Sequence, residues 1–299
     1  MKILVKSTVS ATHVAKWAGK HPTGDHYSLI TSKNIDIYGP DGVFVAGMRT
    51  QAIPSSVLDK AYEAYHFMQR FTTKNRSKYI GAPRGRGTSK VVDGRTITQT
   101  DVSGPDGKYL SVKSAVAGYF DKQGGRIPYC RTTAMLQHYP DKWKTVLPCV
   151  HAVGQVLRKV CPERYKAQMD YVKKTHPAWV ITGSPFTTLT VNNCVAAAYH
   201  QDAGDLKEGM GAMLCYRRGI YSGAELVIPQ YGIAFDMHEG DVLVFNPTLW
   251  HGNIPFRNTV GEESQDWERL TIVHYYRQGI VGCLSPEAEL EQAQERGSI

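Results

Sequence analysis

The chain has 299 residues, of which 42% are hydrophobic and 21% are charged, a composition that suits one large globular domain or two smaller ones. Its formal net charge of +8 favours polyanionic partners, nucleic acid above all. No apolar run approaches the roughly 18 residues that cross a bilayer, and the run at the first residues is too short for a signal peptide, so we expect a soluble, intracellular monomer with no membrane partner.

Residues 1–120 are predicted to form an extension of hairpins and one helix. The stretch "NIDIYGPDGVFVAG" places a Pro-Asp-Gly turn between two alternating runs, which predicts a β-hairpin. Residues 54–71 carry apolar side chains at helical spacing and predict a helix. The basic segment from Arg70 to Lys90 contains no acidic residue and is either a solvated loop or a contact for phosphates. After it, "VVDGRTITQTDVSGPDGKYLSV" predicts further hairpin structure.

Residues 121–299 are predicted to form a mainly β core with supporting helices. Two helices are expected at residues 141–160 and 162–174, because the intervening Cys161-Pro162 puts proline in the first turn of a helix, where it is tolerated. Six strand candidates follow, at residues 186–193, 195–202, 212–218, 224–237, 241–247 and 269–277. Their spacing is typical of an antiparallel sandwich or barrel, and a polar, capped helix is expected at residues 285–299. The predicted class is therefore α+β with a mainly β core.

The cysteines are widely spaced and include no C-x-x-C pair. Most occur in apolar surroundings, as buried thiols of an intracellular protein do. The six are Cys130, Cys149, Cys161, Cys194, Cys215 and Cys283. We expect no disulfide framework.

One short stretch, "AYHQDAGD", places His200 and Asp202 one residue apart. On a strand, residues i and i+2 face the same side, so both side chains could bind one metal ion. His251, in "TLWHGN", follows a strand candidate and could supply a third ligand. Two histidines and a carboxylate leave three positions free on octahedral iron(II), enough for a bidentate co-substrate and dioxygen. A hydrolytic zinc takes similar ligands, but the H-E-x-x-H helix that often supplies them is absent. His238, in "DMHEGD", is predicted to be a turn residue and not a fourth ligand.

A cation for a dicarboxylate co-substrate is available in the last strand candidate. Arg269 and Thr271 share one face of that strand with Tyr275 and Arg277. A guanidinium and a hydroxyl two residues apart could bind the far carboxylate of 2-oxoglutarate, the guanidinium by a bidentate pair. Arg257 is nearer to His251 in sequence, but it lies in a loop-like stretch and ranks second.

These motifs together resemble a known family. The run from "FTTLTVNN" through "YHQDAGD" and "GAELVIPQYGIAFDMHEGDVLVFNPTLWHGN" to "RLTIVHYYR" looks like the catalytic core of the TET and base-J-binding-protein (TET/JBP) branch of the iron(II)/2-oxoglutarate dioxygenases, which oxidise the 5-methyl group of pyrimidines in nucleic acid. The resemblance covers residues 182–279, with a weaker echo at "PYCRTTAM", and leaves the first 120 residues unexplained. It implies a double-stranded β-helix of the jelly-roll or cupin type, with flanking helices and an N-terminal extension.

The resemblance also implies roles for individual residues. His200, Asp202 and His251 would bind iron(II), and Arg269 with Thr271 would hold 2-oxoglutarate. Arg131 is either a contact for the inner carboxylate of 2-oxoglutarate or a member of a structural salt bridge.

The same resemblance places Asp205 and Tyr275 near the target base. Arg277 stands where members that act on 5-methylcytosine often have histidine. Arginine only donates hydrogen bonds, which favours the carbonyls of thymine, whereas the carboxylate of Asp205 accepts them, which favours the amino group of cytosine.

The expected activity is hydroxylation by dioxygen of 5-methylcytosine in DNA to 5-hydroxymethylcytosine, on a base flipped out of the duplex. One alternative is a thymine hydroxylase that gives 5-hydroxymethyluracil. Others are a 2-oxoglutarate oxygenase that acts on a nucleotide or a protein, and a metal-free DNA-binding module.

Overall fold

The computed structural model describes residues 1–71, 113–122, 127–257 and 267–297 and, in addition, the backbone of two strands within residues 88–99. In that part of the chain no helix combines the length and the apolar character needed to cross a membrane. The basic segment from Arg70 to Lys90 lies almost wholly outside the described residues, as does the end of the second predicted hairpin.

The strands of the described residues are short and are distributed along the chain from Lys2 to Tyr275. They are β1 Lys2–Leu4, β2 Leu29–Thr31, β3 Ile35–Tyr38, β4 Phe44–Arg49, β5 Thr88–Val92, β6 Arg95–Gln99, β7 Ser114–Phe120, β8 Arg131–Thr132, β9 Thr188–Asn193, β10 Gly211–Arg218, β11 Leu226–Ile228, β12 Ile233–Phe235, β13 Val242–Phe245, β14 Gly252–Asn253 and β15 Glu268–Tyr275. The helices are α1 Ala11–Val14, α2 Ser55–Met68, α3 Ala134–His138, α4 Pro140–Val160, α5 Pro162–Lys174 and α6 Pro286–Glu295.

Two sheets form the β core. The large sheet has the strand order β1-β3-β4-β13-β10-β15-β9-β7-β8, and the small sheet has the order β14-β11-β12-β2. β15, which carries Arg269, Thr271 and Tyr275, is an interior strand that pairs antiparallel with β10 on one side and β9 on the other. Nearly all side chains of β15 are buried, because both faces of the sheet are covered by other layers. Each face therefore needs side chains that are apolar or specifically paired.

Each face of the large sheet packs against a different layer. One face meets the small sheet, through side chains that include Met213, Cys215, Leu243, Phe245, Leu226, Ile228 and Phe235. The other meets the helices, through side chains that include Leu58, Ala61, Tyr65, Val146, Val150, Val153, Leu214, Leu270 and Ile272. The helices therefore cover one side of β15 and leave its other side facing the space between the sheets, where the site lies.

Most of the predicted elements are confirmed, including the α+β class with its mainly β core. The hairpin of β3 and β4, the helix α2, the hairpin of β5 and β6 and the terminal helix α6 all form. The helices α4 and α5 meet at Cys161-Pro162 as expected, with the proline at the first position of α5.

Two strand predictions are wrong. Residues 195–202 form no regular strand; their only bridge is at His200, because the backbone of this stretch bonds in turn to Lys20, His251 and Pro247 instead of following one neighbour. Residues 224–237 are divided into β11 and β12 by a turn at Pro229–Tyr231, where Pro229 offers no N–H for a ladder.

The expectation of free thiols is wrong for one pair of cysteines. Cys130 and Cys283 form a disulfide, although 153 residues separate them in sequence. The fold brings their Cα atoms to 5.9 Å, and no local spacing could have indicated this. The buried carboxylate of Glu289 in α6 accepts hydrogen bonds from the backbone N–H groups of Cys130 and Leu284, so the last helix is attached at the same place.

The N-terminal residues take part in both sheets. β4 pairs antiparallel with β13, β7 with β9, and β2 parallel with β12. The predicted domain boundary after residue 120 thus falls directly behind β7, a strand of the large sheet.

His274, on the helix-facing side of β15, gives a pH-dependent prediction. It is fully buried, its Nδ1 lies 3.2 Å from the Ala212 carbonyl, and burial lowers the pKa of His274 from 6.5 to about 4. Between these two values the unfolded chain binds a proton that the folded chain does not, so the free energy of unfolding should fall as pH drops from 6.5 towards 4. We expect His274→Gln to have a shallower pH dependence in urea unfolding, measured through this window.

His238→Gln serves as the control, because the His238 side chain is exposed and contacts Asp236 at the surface. It should keep the wild-type slope. Equal slopes for wild type and His274→Gln would contradict the assignment of a neutral, buried imidazole.

Candidate active site

Two reciprocal backbone hydrogen bonds hold the predicted metal-binding histidines side by side. The N–H of His200 donates to the carbonyl of His251, and that of His251 donates to the carbonyl of His200, both at 3.0 Å. Their ring centroids lie 4.4 Å apart. The glycine of Trp-His-Gly permits this approach, since a Cβ atom at Gly252 would lie 3.0 Å from the backbone nitrogen of Tyr199.

Asp202 completes the group. Its backbone N–H donates to the Pro247 carbonyl, in the turn that follows β13. Its carboxylate oxygens lie 3.5 Å from Nε2 of His200 and 3.4 Å from Nε2 of His251. The ligand atoms of the three residues all lie within 4.8 Å of one another, so they can bind a single metal ion. The predicted pairing of His200 and Asp202 thus forms, although without a regular strand.

The second ring nitrogen of each histidine has a defined partner. Nδ1 of His200 lies 2.8 Å from the Ala198 carbonyl, and Nδ1 of His251 lies 2.9 Å from the Leu249 carbonyl. Because a carbonyl only accepts hydrogen bonds, both Nδ1 atoms carry the proton of the neutral ring. In the neutral form of each ring Nε2 therefore keeps its lone pair, which is the tautomer that metal binding needs.

The charges of the three groups support one another. Burial opposes the ionisation of Asp202, yet the two histidines outweigh it and hold the pKa of this carboxyl far below its usual range. Burial likewise lowers the pKa of His200, but the adjacent Asp202 carboxylate leaves it above the ordinary value. The carboxylate is thus ionised and attracts positive charge to the site, whether from protons or from a metal cation.

The N-terminal segment supports the backbone beside His200. Gly19 donates to the carbonyl of Tyr199 at 3.1 Å, and Tyr199 donates to the carbonyl of Lys20 at 2.9 Å. The Tyr199 hydroxyl lies 3.1 Å from Nδ1 of His26, whose ring stacks on Trp17 with centroids 4.0 Å apart. The residue next to a predicted metal ligand is therefore fixed by residues far from it in sequence.

A cavity of about 500 Å³ opens beside these ligands. It contains seven of the residues predicted from sequence: His200, Asp202, Asp205, His251, Thr271, Tyr275 and Arg277. Its other lining residues include Thr190, Asn192, Met213, Leu226, Phe245 and Asn253. The large sheet thus contributes polar groups from β9 and β15 and apolar groups from β10 and β13, and the small sheet contributes Leu226 of β11.

Arg269 lies two residues before Thr271, on the same face of β15, and is 3% exposed. Its Nη2 has no hydrogen-bond partner among the described residues, and no carboxylate of that part of the chain pairs with it. The residue opposite it on β10 is Arg217, whose own charge is neutralised by Asp236 at 2.6 Å. A buried cation without a counter-ion is costly, so Arg269 fits an anionic ligand.

Asp205 and Arg277 are neighbours rather than opposite walls of the cavity. Their backbones form an isolated bridge, and the guanidinium of Arg277 binds Asp121 instead, through Nε at 2.8 Å and Nη2 at 2.6 Å. Burial, and then the negative charge of Asp202, raise the pKa of Asp205 well above its usual range. A protonated carboxyl donates as well as accepts, so Asp205 does not exclude a carbonyl partner.

Tyr275 lies at the same end of the cavity, and its hydroxyl is 3.1 Å from Oγ1 of Thr190 on β9. Thr190 and Asn192 lie two residues apart on the first strand candidate, and both line the cavity. The alternation of that strand could therefore have identified Thr190 from the sequence. Asp121 had no such signal, because it lies 156 residues from its partner Arg277.

Arg269 adjoins the cavity through Thr271 but is not one of the residues that line it. Three further residues named from the sequence also lie outside the cavity lining. Arg131 stacks over the ring of Phe120 at 4.7 Å, so its predicted contact with the inner carboxylate of 2-oxoglutarate has no support from this geometry. Arg257 lies in a backbone bridge away from the three metal-ligand candidates. His238 bonds to Asp236, as a turn residue does, and does not join the ligand group.

Comparison with known proteins agrees with these observations. Residues 115–278 match the family model Tet_JBP, described as the oxygenase domain of the 2OGFeDO superfamily. The thymine dioxygenase JBP1 of Trypanosoma brucei brucei is 36% identical over 172 residues, which cover 57% of this chain and 20% of that protein. Thymine dioxygenase JBP1-B of Trypanosoma cruzi (strain CL Brener) is 36% identical over 193 residues, which cover 62% and 22%. The chain thus spans about a fifth of the length of these relatives.

Among solved structures, NgTET1 in complex with 5mC DNA aligns with a TM-score of 0.59 at 10% identity, over 96% of this chain and all of that one. At that identity the likeness concerns the fold. It confirms the predicted double-stranded β-helix with flanking helices.

The three candidate ligands give a direct prediction about metal binding. Asp202→Ala should lower the affinity for Mn(II), a redox-stable substitute for Fe(II), by at least about 100-fold, because loss of an outer partner of a ligand already costs 10- to 100-fold. Calorimetric titration of the metal-free protein measures it. His238→Ala should bind Mn(II) like wild type, and undiminished binding by Asp202→Ala would remove the metal assignment.

Proposed function

The chain belongs to the Tet_JBP family of oxygenase domains, and we propose from this that it is a dioxygenase which hydroxylates the 5-methyl group of a pyrimidine in DNA. The observation that carries the proposal is the group of His200, Asp202 and His251 at the edge of a cavity, with the buried Arg269 on β15, whose Nη2 has no partner among the described residues. A purely structural metal site needs neither an adjoining cavity nor such a cation.

The residues fit iron(II). Two neutral imidazoles and one ionised carboxylate would hold it and leave three positions for other ligands. Bound iron supplies the activation of dioxygen, in which 2-oxoglutarate is oxidised to succinate and carbon dioxide while the second oxygen atom enters a C–H bond of the substrate. The protein's own part is to keep His200 and His251 in the binding tautomer and to keep Asp202 ionised.

The residues also fit 2-oxoglutarate. The unpaired Nη2 of Arg269 calls for an acceptor that the described residues do not provide, and a carboxylate is the common acceptor that matches a guanidinium. Thr271, one same-face step nearer the metal ligands, lines the cavity and would add a hydroxyl. A dicarboxylate could then reach from Arg269 to the metal site.

The base would occupy the end of the cavity near Asp205, Tyr275 and Arg277. Two observations favour thymine: the relatives at 36% identity are named thymine dioxygenases, and Arg277 contributes only donors to a lining that would face the carbonyls of thymine. 5-Methylcytosine, ranked first from sequence alone, is the second candidate, because a carboxyl oxygen of Asp205 could accept a hydrogen bond from its amino group.

DNA as the carrier of the base agrees with the net charge of +8. The cavity lies between the sheets and could not admit a paired base, so the target nucleotide would have to leave the duplex. Arg70, the first residue of the basic segment, stacks over the ring of Phe67 at 4.8 Å. The other basic residues of that segment, up to Lys90, are the proposed contact for DNA phosphates.

Turnover of defined oligonucleotides tests the proposal. With Fe(II) and 2-oxoglutarate, an oligonucleotide with thymine as its only 5-methylpyrimidine should gain one oxygen atom by mass, with one succinate formed per hydroxymethyl group. A matched oligonucleotide with 5-methylcytosine ranks the two bases, and one with only unmodified cytosine and uracil should remain unchanged.

Asp202→Ala should abolish turnover and retain DNA affinity, because the carboxylate binds the metal and carries no phosphate contact. Oxidation of a free nucleotide or a peptide with no change in any oligonucleotide would shift the substrate class and keep the metal site. DNA binding without metal binding or succinate would favour the non-catalytic module.

A further inference from the structure

Tyr221 is a buried side chain outside the metal-ligand group and the cavity lining. It lies in the loop between β10 and β11, and only 4% of it is exposed. Its hydroxyl has no hydrogen-bond partner within the described part of the chain. Buried hydroxyls are normally paired, so an unpaired one in a fixed position indicates an absent partner.

The loop that carries Tyr221 is fixed by backbone hydrogen bonds directly after this residue. Ser222 and Arg257 exchange backbone hydrogen bonds at 3.1 and 2.9 Å, and Ala224 donates to the Ile254 carbonyl at 2.9 Å. Ala224 has a φ of +68°, a left-handed conformation that a non-glycine residue rarely adopts. Strain of this kind persists where the surrounding structure requires one backbone path, which often happens at a ligand site.

The groups next to Tyr221 are also donors without acceptors. Nη2 of Arg269 and Nε1 of Trp267 are buried and unpartnered among the described residues, and the Trp267 ring lies 5.0 Å from the ring of Tyr221. Burial raises the pKa of the Tyr221 hydroxyl, and the Arg269 charge only partly opposes this, so the hydroxyl keeps its proton. Arg217 lies under the same ring at 4.5 Å, but Asp236 already neutralises it.

Of these three donors only the Tyr221 hydroxyl can also accept, so the set is suited to a ligand group that only accepts. A carboxylate is such a group, with two oxygens and about four lone-pair sites. A phosphate is larger and more strongly hydrated, and a neutral amide would bring donors of its own. The local chemistry therefore matches one carboxylate.

We propose that the Tyr221 hydroxyl donates a hydrogen bond to the distal carboxylate of 2-oxoglutarate, beside the guanidinium of Arg269, and so makes the site selective for a 2-oxo dicarboxylic acid over a 2-oxo monocarboxylic acid. The proposal rests on the proposed function and names a co-substrate contact that motif reasoning did not find. Tyr221 escaped notice because it stands in a loop, "RRGIYSGAE", with no periodicity to mark an inward-facing position.

The test compares two acids of equal length on the full chain. 2-Oxopentanoate has the five carbons and the 2-oxo carboxylate of 2-oxoglutarate but lacks the distal carboxylate. Calorimetric titration with Mn(II) in place of iron measures the Kd of each acid without turnover. Tyr221→Phe should raise the Kd of 2-oxoglutarate about 10-fold, the effect of one hydrogen bond to a charged group, and leave that of 2-oxopentanoate unchanged.

Tyr231→Phe is the matched control. Tyr231 lies in the turn between β11 and β12, and its hydroxyl is near Asp41 and away from Arg269. It should bind both acids like wild type. Thermal melts provide the check on folding: without ligand, Tyr221→Phe should melt at or above the wild-type temperature, since it loses an unpaired buried hydroxyl, whereas the rise in Tm on adding 2-oxoglutarate should shrink.

The outcomes separate the two proposals. A wild-type protein that binds 2-oxoglutarate and a Tyr221→Phe variant that binds it equally well overturn the Tyr221 contact alone. An equal loss for both acids shows a structural effect and also overturns it. A wild-type protein that binds Mn(II) but neither acid overturns the proposed function and this inference with it.

Discussion

The site depends on the pair of backbone hydrogen bonds that His200 and His251 exchange. These bonds join two segments that belong to no common ladder and bring both imidazoles to one side of the Asp202 carboxylate. The rest of the local sequence serves this contact. Gly252 gives room for it, and the carbonyls of Ala198 and Leu249 then set the tautomer of each ring from the residue two positions earlier. The backbone bridge thus determines where the two histidines lie, and the neighbouring carbonyls determine that each ring presents Nε2.

Charge is distributed unequally between the metal-ligand group and β15, which borders the cavity. At the metal end, the ionised carboxylate of Asp202 gives net negative charge that a divalent cation would offset. Two same-face steps away, beyond Thr271, Arg269 has no counter-ion among the described residues. An elongated anion with different ends would be held in one direction only. The fold therefore supplies orientation through the placement of charge, before any specific contact to the co-substrate forms.

Sequence reasoning located the site better than it explained it. The ligand order, the alternation of β15 and the helix junction at Cys161-Pro162 follow local rules, and the structure contains all three. The same-face argument for His200 and Asp202 reached the right pairing through a strand that does not exist, because the extended backbone there changes partners at each step. The disulfide, the Asp121 contact to Arg277 and the inward side of the Tyr221 loop depend on residues brought together only by the complete fold.

The strands and loops contributed by the N-terminal residues bear on how this catalytic region could be isolated. The family match begins at residue 115, yet β13 pairs with β4, and the backbone of Tyr199 bonds to Gly19 and Lys20. A fragment cut at the family boundary would expose β13 as an open sheet edge, with unpaired N–H and C=O groups available to any other chain. It would also lose the partners of the residue beside His200. Self-association and weakened metal affinity would then arise from the same cut. A fragment that keeps β13 covered and the metal site supported must therefore include the N-terminal third of the chain.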